Sequence, residues 1–220
     1  MKKMLNVVLM VCFSMFLQGC KESADKSSEI NRLISQMKPL QVYNDGNEIM
    51  TITVNQAMAF HENHEHSQSN AESSHISQNS HICMGVLIGY KAIGYAAQQL
   101  FGDEIPKAAD FDIKVSGSMD GVWDVMSLYT GRELKFEDEE TELNLQSYTF
   151  TAKRIPSDKS VTFCVRGGLI PDGFFAVKNQ GATCSNAELR KVKQQALLNI
   201  LSAEHQNCFD FVESASGFGR

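Results

Sequence analysis

Motifs for nucleotide-driven or serine-dependent chemistry are missing from this 220-residue sequence. It contains no Walker phosphate loop, no dinucleotide-binding glycine fingerprint and no Gly-x-Ser-x-Gly elbow. It has no internal repeat and no basic stripe with interleaved aromatic residues, and its formal net charge of −6 at pH 7 would repel a phosphate backbone. The sequence therefore supports neither a nucleotide-dependent enzyme, nor a serine hydrolase, nor a nucleic-acid-binding protein.

Long apolar runs are also scarce, and the longest lies at the N terminus. Lys2 and Lys3 precede an apolar run at residues 4–16, and Leu17-Gln18-Gly19-Cys20 follows it. The run is too short for the roughly 20 residues that span a bilayer. The tetrapeptide resembles the bacterial lipobox, in which the cysteine is lipidated and becomes the first mature residue. We predict a signal peptide at residues 1–19 and a lipid anchor at Cys20; an ordinary signal peptide cleaved nearby is the alternative.

The residues after the predicted anchor bear on location. Lys21 follows Cys20, where lipoproteins kept at the inner membrane usually carry aspartate, so the resemblance implies an outer-membrane protein that faces the periplasm. The partner would be the membrane itself, in which the acyl chains on Cys20 would anchor the protein. Each methylene buried in lipid contributes about 0.8 kcal/mol to this anchoring. Residues 20–39 would comprise the anchor, a polar tether at 21–29 and a short helix at 30–37. The mature chain would have 201 residues and a formal charge of −8, which suits one domain.

Few cysteines remain for the mature domain. They are Cys83, Cys164, Cys184 and Cys208, and the predicted compartment is oxidising. Four cysteines allow three pairings, among which the sequence does not choose. A disulfide between Cys184 and Cys208, which bracket a helical pattern, requires the two ends to lie close together.

Hydrophobic periodicity predicts helices and strands without regular alternation. The predicted helices cover residues 55–64, 85–101, 119–129 and 186–204. The predicted strands cover residues 48–54, 111–115, 143–154, 159–165 and 173–178. These features favour an α+β fold, with a mixed or antiparallel sheet packed against several helices. One domain at residues 40–213 would be followed by a tail at 214–220, and the small-residue face of helix 85–101 would serve either the core or a homodimer.

Histidines crowd into one polar segment. Five of the six lie between positions 61 and 81, namely His61, His64, His66, His75 and His81. Serine and asparagine are frequent there, so we predict an exposed loop at residues 65–80. Imidazoles bind first-row metals, with affinity rising toward copper, and a solvated polar tract is the alternative interpretation.

Cys83 closes this segment just before the predicted helix at 85–101. The unpaired N–H groups at a helix start favour a thiolate, and a thiolate with the nearby His81 would make a pair of metal ligands. The alternative is a small buried cysteine beside a loop histidine. Asp120 and Asp124 lie four apart on the next helix and would either ligate a metal, act as acid and base, or simply be solvated.

These residues together resemble the FmdE-like family, whose name comes from a component of formylmethanofuran dehydrogenase. That family has a Phe-His-Gly-His-x-Cys-Pro-Gly motif, then Gly-Tyr-x-Ala in a helix, then an aspartate and a Thr-Gly. The corresponding residues here are Phe60-His61, His81-Ile82-Cys83-Met84-Gly85, Gly89-Tyr90-Lys91-Ala92, Asp124 and Thr130-Gly131. The likeness covers roughly residues 48–213 and implies the family's α+β fold.

The resemblance implies that residues 62–80 are a histidine-rich insertion between two halves of the motif. His61, His81 and Cys83 would then meet at its base as metal ligands, with Asp124 nearby and with His64, His66 and His75 assisting. The cofactor would be a transition metal, zinc first, with nickel, copper or iron as alternatives. Three positions depart from the family: Met84 replaces its proline, and Gly121 and Arg132 replace cysteines found in many members.

Three functions follow from these expectations. The first is an envelope lipoprotein that binds, delivers or senses a transition metal. The second is a metal-dependent redox enzyme that uses the same residues, with Cys83 and Asp124 as candidate catalytic groups. The third is an adaptor lipoprotein without metal, whose cysteines are all in disulfides. The sequence alone leaves open whether any reaction is catalysed.

Overall fold

The computed structural model describes residues 26–68, 82–117, 119–134, 144, 148–179 and 187–212. The chain divides into two compact units, Met1–Gln36 and Met37–Arg220. In the first unit, residues 26–36 form helix α1, in which Arg32 donates two hydrogen bonds to Glu29 one turn earlier. The prediction of a tether at 21–29 is therefore wrong for residues 26–29, which are helical.

The second unit is an α+β domain with two antiparallel sheets, as the sequence predicts. A hairpin pairs β1 (Leu40–Tyr43) with β2 (Ile49–Ile52). The larger sheet has the order β3-β4-β5-β6, with strands Phe111–Val115, Thr149–Arg154, Lys159–Val165 and Phe209–Phe211. The helices are α2 (Val54–Gln68), α3 (Met84–Phe101), α4 (Asp120–Thr130), α5 (Asp172–Asn179) and α6 (Ala187–Ser202). Within the described parts of the chain, no helix is both long and apolar enough to cross a bilayer.

The core lies between α3 and the larger sheet. Side chains of β3, β4 and β5 alternate between buried and more exposed positions, so one face of the sheet is apolar. On that face Phe163 stacks on Phe150 at 5.3 Å between ring centroids and meets the edge of Phe209 at 5.1 Å. Burying each such ring stabilises the fold by about 1.5–3 kcal/mol. Helix α3 contacts β4 and β5, and its N-terminal residues Met84–Ile93 are all buried.

Glycines let α3 and α4 approach closely. A Cβ on Gly89 would lie 3.1 Å from Val122 Cα, and one on Gly85 would lie 3.4 Å from Val122 N. The small-residue face of α3 at these positions is therefore used for packing against α4. The left-handed conformation of Gly131, with φ of 66°, ends α4 at Thr130, one residue beyond the predicted end at 129.

Helix α2 begins with a reciprocal cap. Thr53 Oγ1 accepts a hydrogen bond from the backbone N–H of Gln56, and Gln56 Oε1 accepts one from the N–H of Thr53. The helix continues to Gln68, so the predicted loop at 65–80 begins at least four residues too early. The cap matters because it orients the helix that carries His61 and His64.

The predicted strand at 173–178 is wrong. Residues Asp172–Asn179 form helix α5, which starts where the N–H of Phe174 bonds to the carbonyl of Pro171. Phe174, Phe175 and Val177 are buried, and these aromatic and branched residues favour a strand by propensity. Burial against α6 determines the outcome instead. The short strands β1 and β6 are not predicted, because a hydrophobic pattern of three or four residues is too short to indicate a strand.

The hydroxyl of Tyr90 ties α3 to the β1–β2 hairpin. Its oxygen accepts a hydrogen bond from Leu40 N at 3.1 Å and lies 2.8 Å from the carbonyl of Ile52, to which it donates. Burial raises the pKa of Tyr90 to about 12, although the bond from Leu40 lowers it.

We expect Tyr90→Phe to lower the free energy of unfolding by about 1–3 kcal/mol, because buried hairpin groups lose their partner. Tyr95→Phe is the control, since Tyr95 packs through its ring against Phe163 and Phe209. Denaturation in urea measures both variants. The folded pKa of Tyr90 lies above its ordinary value of 10.0, so its contribution is complete below pH 10 and is lost as the pH rises toward about 12. A wild-type protein that loses no more stability than Tyr90→Phe over this window would contradict the assignment.

Candidate thiolate site at the start of helix α3

Cys83 lies at the N-cap position of α3 and is half-buried. Its side chain makes no cap hydrogen bond of ordinary geometry, yet the N–H groups of Gly85 and Val86 lie close enough to its sulfur to lower its pKa. The positive end of the helix dipole acts in the same direction. The fold therefore places the sulfur where a negative charge is stabilised.

His61 and Asp124 meet across the contact between α2 and α4. His61 is only 5% exposed, and its Nδ1 lies 2.6 Å from Asp124 Oδ2. A carboxylate only accepts hydrogen bonds, so Nδ1 of His61 carries a proton, which it donates to Asp124. The imidazole of His61 also acts on Cys83, because its side-chain hydrogen bond and its charge lower the pKa of that thiol. With Nδ1 on Asp124, Nε2 is the nitrogen available for this interaction. Sulfur, imidazole and carboxylate thus form a chain of three groups from three helices.

Several groups shift the pKa of Cys83, in opposite directions. Burial raises the pKa of its thiol, and this is the largest single effect. The hydrogen bond and positive charge of His61 lower it, as do the N–H groups of Val86 and Gly85. Together they outweigh burial, so the pKa of Cys83 lies below its ordinary value.

His64 occupies the other side of the same carboxylate. Its Nδ1 lies 3.0 Å from Asp124 Oδ1, and its side chain is 45% exposed. The ring of Phe60 lies 4.3 Å from the His64 ring, between centroids. His61 and His64 are three residues apart on α2 and share a face, as their spacing predicts.

Two further residues lie near the sulfur of Cys83, namely Gly121 and Tyr148. A Cβ on Gly121 would lie 2.8 Å from Cys83 Sγ, so only glycine fits there without a shift. Tyr148 is buried, its hydroxyl contacts the sulfur of Met119, and burial together with the negative charge of Cys83 raises its pKa. The sequence contains no local signal for these contacts, because Gly121 and Tyr148 reach Cys83 only through the packing of α4 and of the chain just before β4.

The structure thus brings together His61, Cys83 and Asp124, with His64 beside them. Asp120 is exposed at the start of α4 and takes no part in these contacts, which leaves Asp124 as the carboxylate of the site. His66 falls within the last turns of α2. The predicted ligands His75 and His81 and the predicted lipidation residue Cys20 lie outside the described residues.

The geometry of the site limits which of these side chains could bind a metal ion. Both oxygens of Asp124 receive an imidazole N–H, so this carboxylate supports His61 rather than adding a donor. Within this group, Cys83 Sγ and His61 Nε2 are the atoms that an ion would use. Over the ranges the structure describes, no three histidine, cysteine or carboxylate side chains are grouped suitably for a metal ion.

The cysteines that the structure describes are thiols. Cys83 and Cys164 are half-buried and Cys208 is fully buried, and all three are free. The sequence leaves a disulfide between Cys184 and Cys208 open; in the structure Cys208 is free, and Cys184 lies outside the described ranges. The sulfur of Cys208 lies 3.3 Å from the carbonyl of Glu204.

The chain matches no protein-family model, and neither the curated proteins nor the solved structures include one that is detectably similar to it.

Proposed function

We propose that the protein is a cysteine-dependent acyl-transfer enzyme, in which Cys83 is the nucleophile, His61 the general base and Asp124 the group that orients His61. One observation carries the proposal: the buried imidazole of His61 is held by Asp124 at 2.6 Å from Nδ1 to Oδ2, and the same imidazole lowers the pKa of Cys83. A nucleophile within reach of a base that is itself oriented by a third group is the arrangement that covalent catalysis requires. General-base assistance of this kind contributes about 10²–10⁴-fold in rate.

The reaction would proceed in two steps, formation of a thioester on Cys83 and its hydrolysis. In the first, the Cys83 thiolate attacks the carbonyl carbon of an ester, thioester or amide. A carbon–sulfur bond forms, the bond to the leaving group breaks, and the leaving group takes the proton from His61 Nε2. In the second, His61 Nε2 takes a proton from water while the water oxygen attacks the thioester carbon. The carbon–sulfur bond breaks, the acid departs, and the thiolate and imidazolium are restored.

The surroundings of Cys83 suit this chemistry. The N–H groups of Gly85 and Val86 lie beside Cys83 at the positive end of α3. They would stabilise the negative charge that develops on the carbonyl oxygen of a substrate attacked by the sulfur. Burial of His61 protects its bond to Asp124 from competition by water. The half-buried position of Cys83 leaves part of its surface open to solvent.

A burst experiment with p-nitrophenyl acetate tests the proposal. We expect a stoichiometric burst of p-nitrophenol and an acetyl group on Cys83, which peptide mass spectrometry locates. Cys83→Ser should lose the burst, because its hydroxyl is not ionised at neutral pH. Cys164→Ser is the matched control and should retain it, since Cys164 is a free, half-buried cysteine on β5. A burst that survives in Cys83→Ser, or acetylation elsewhere, would rule out Cys83 as the nucleophile.

A second candidate function is the binding of a transition metal. The observation in its favour is the carboxylate behind His61, because metal-bound histidines usually donate their other N–H to such a group. Cys83 and His61 would hold the ion, and a thiolate with an imidazole suits zinc, nickel or copper. Further donors would come from the histidine-rich segment, as the resemblance to the FmdE-like family implies. The lipid anchor at Cys20 and the outer-membrane location remain predictions of the sequence.

Elemental analysis of protein purified without an affinity resin tests this candidate. Metal that is present in the wild type and absent from both His61→Ala and Cys83→Ser would support it. Because α2 extends to Gln68, deletion of residues 69–80 removes the segment beyond α2 while keeping His61 and His64. Retention of the metal in Cys83→Ser and its loss in the deletion variant would place the metal on the segment rather than on Cys83.

A further inference from the structure

We propose that His64 is a positioning residue, which holds the Asp124 carboxylate so that Oδ2 stays on His61. The inference rests on the proposed function, because it concerns how the base of that site is oriented. His64 does not touch the reacting sulfur. It acts through Asp124, at a distance of 3.0 Å from Nδ1 to Oδ1.

The geometry of the carboxylate explains why a second imidazole matters. Asp124 has two oxygens, and each faces a different ring nitrogen, at 2.6 Å for His61 and 3.0 Å for His64. A carboxylate held at one oxygen can rotate about its last bond, whereas one held at both cannot. Loss of the bond to His64 would therefore let Oδ2 leave His61, and the ring would lose the contact that fixes its proton on Nδ1.

The exposure of His64 separates this role from a structural one. Its side chain is 45% exposed, whereas Asp124 is 14% exposed and His61 is buried. Removing an exposed ring creates no cavity in the core, so little stability should be lost. Phe60 contacts the His64 ring and limits its movement, which keeps Nδ1 directed at the carboxylate. A change confined to the orientation of Asp124 is the expected result of replacing His64.

Three variants test the inference. His64→Ala removes the N–H donor, His64→Asn keeps a donor at about the position of Nδ1, and Glu62→Ala changes an exposed residue on the same turn of α2. The first readout is the proton resonance of His61 Nδ1–H, expected far downfield because the bond is short. The second is the rate at which iodoacetamide alkylates Cys83 at pH 7, followed on the Cys83 peptide by mass spectrometry.

We expect His64→Ala to broaden or shift the His61 resonance and to slow alkylation of Cys83 by about three- to tenfold, somewhat less than the loss of a direct partner of a functional histidine. His64→Asn should restore both readouts, and Glu62→Ala should change neither. Thermal midpoints should be alike in all four proteins. An unchanged resonance in His64→Ala would overturn the inference, and so would equal losses in the alanine and asparagine variants, because the donor would then be irrelevant.

Failure of the proposed function gives a different pattern. In that case Cys83 would alkylate no faster than it does in His61→Ala, or the acyl burst would not depend on Cys83. The resonance of His61 would still report whether His64 holds Asp124. An activated Cys83 that is insensitive to His64 would reject only the positioning role.

Discussion

Replacement of His61 by alanine is expected to slow the alkylation of Cys83 at pH 7 by about tenfold or more, since a cysteine of ordinary pKa is only a few per cent thiolate at that pH. In the wild type, the hydrogen bond and charge of His61 oppose the effect of burial on Cys83. Without His61, burial remains and the pKa of Cys83 should rise. Alkylation by iodoacetamide, resolved by peptide mass spectrometry, measures the rate.

The pH dependence of the alkylation rate also measures the effect of His61 on the pKa of Cys83. The folded wild type holds the pKa of Cys83 below its ordinary value, so alkylation should persist at pH values where a free thiol reacts slowly. In His61→Ala the whole profile should move to higher pH. Asp124→Asn should move it in the same direction by a smaller amount, because His61 would remain but would lose the carboxylate that stabilises its positive charge.

Cys164 provides an internal control in every sample. It lies on β5 within the larger sheet, so its rate should not change when His61 or Asp124 is replaced. Loss of reactivity at both cysteines would indicate disturbed folding instead of a local effect. An unchanged rate at Cys83 in His61→Ala would show that the helix N-terminus alone activates the sulfur, and the role of His61 as the base would then be wrong.

Gly121→Ala is expected to destabilise the fold by about 1–3 kcal/mol, the usual cost of an extra methyl in a tightly packed contact. The added Cβ would lie 2.8 Å from both Cys83 Sγ and the backbone nitrogen of Val86. The sulfur can turn aside, but the backbone of α3 cannot do so alone, and α3 and α4 must therefore separate. Since α3 is anchored on the sheet, this separation would disturb both the core contact and the position of Cys83.

Thermal unfolding measures this effect, and roughly 2–4 °C in the midpoint is expected for each kcal/mol in a domain of this size. Gly167→Ala is the matched control, because nothing lies within 4 Å of a Cβ at that position and its backbone is not left-handed. Alkylation of Cys83 in Gly121→Ala adds a second readout, which should fall as the sulfur leaves the N–H groups of α3. Equal midpoints for the two alanine variants would mean that α3 and α4 are not in such close contact at Gly121.

Features governed by local spacing are predictable from the sequence. Helices α3 and α4 and the β4–β5 hairpin follow from hydrophobic periodicity, and the shared face of His61 and His64 follows from their separation of three residues on one helix. The reciprocal cap of Thr53 and Gln56 has the same local origin, since it joins residues three apart at the start of α2. In each case the backbone geometry of a single element determines the result.

The sequence by itself therefore determined which residues can carry chemistry: a cysteine at a helix start, histidines on one face, and two candidate carboxylates. Only the tertiary structure decided that Asp124 and not Asp120 meets His61, 63 residues away along the chain, and that Gly121 lies against the sulfur. It also decided that residues 172–179 are a helix despite their strand-like composition. The physical reason is that these outcomes depend on how α2, α4 and the sheet pack around α3, and side-chain spacing within one element does not specify the distance between two of them.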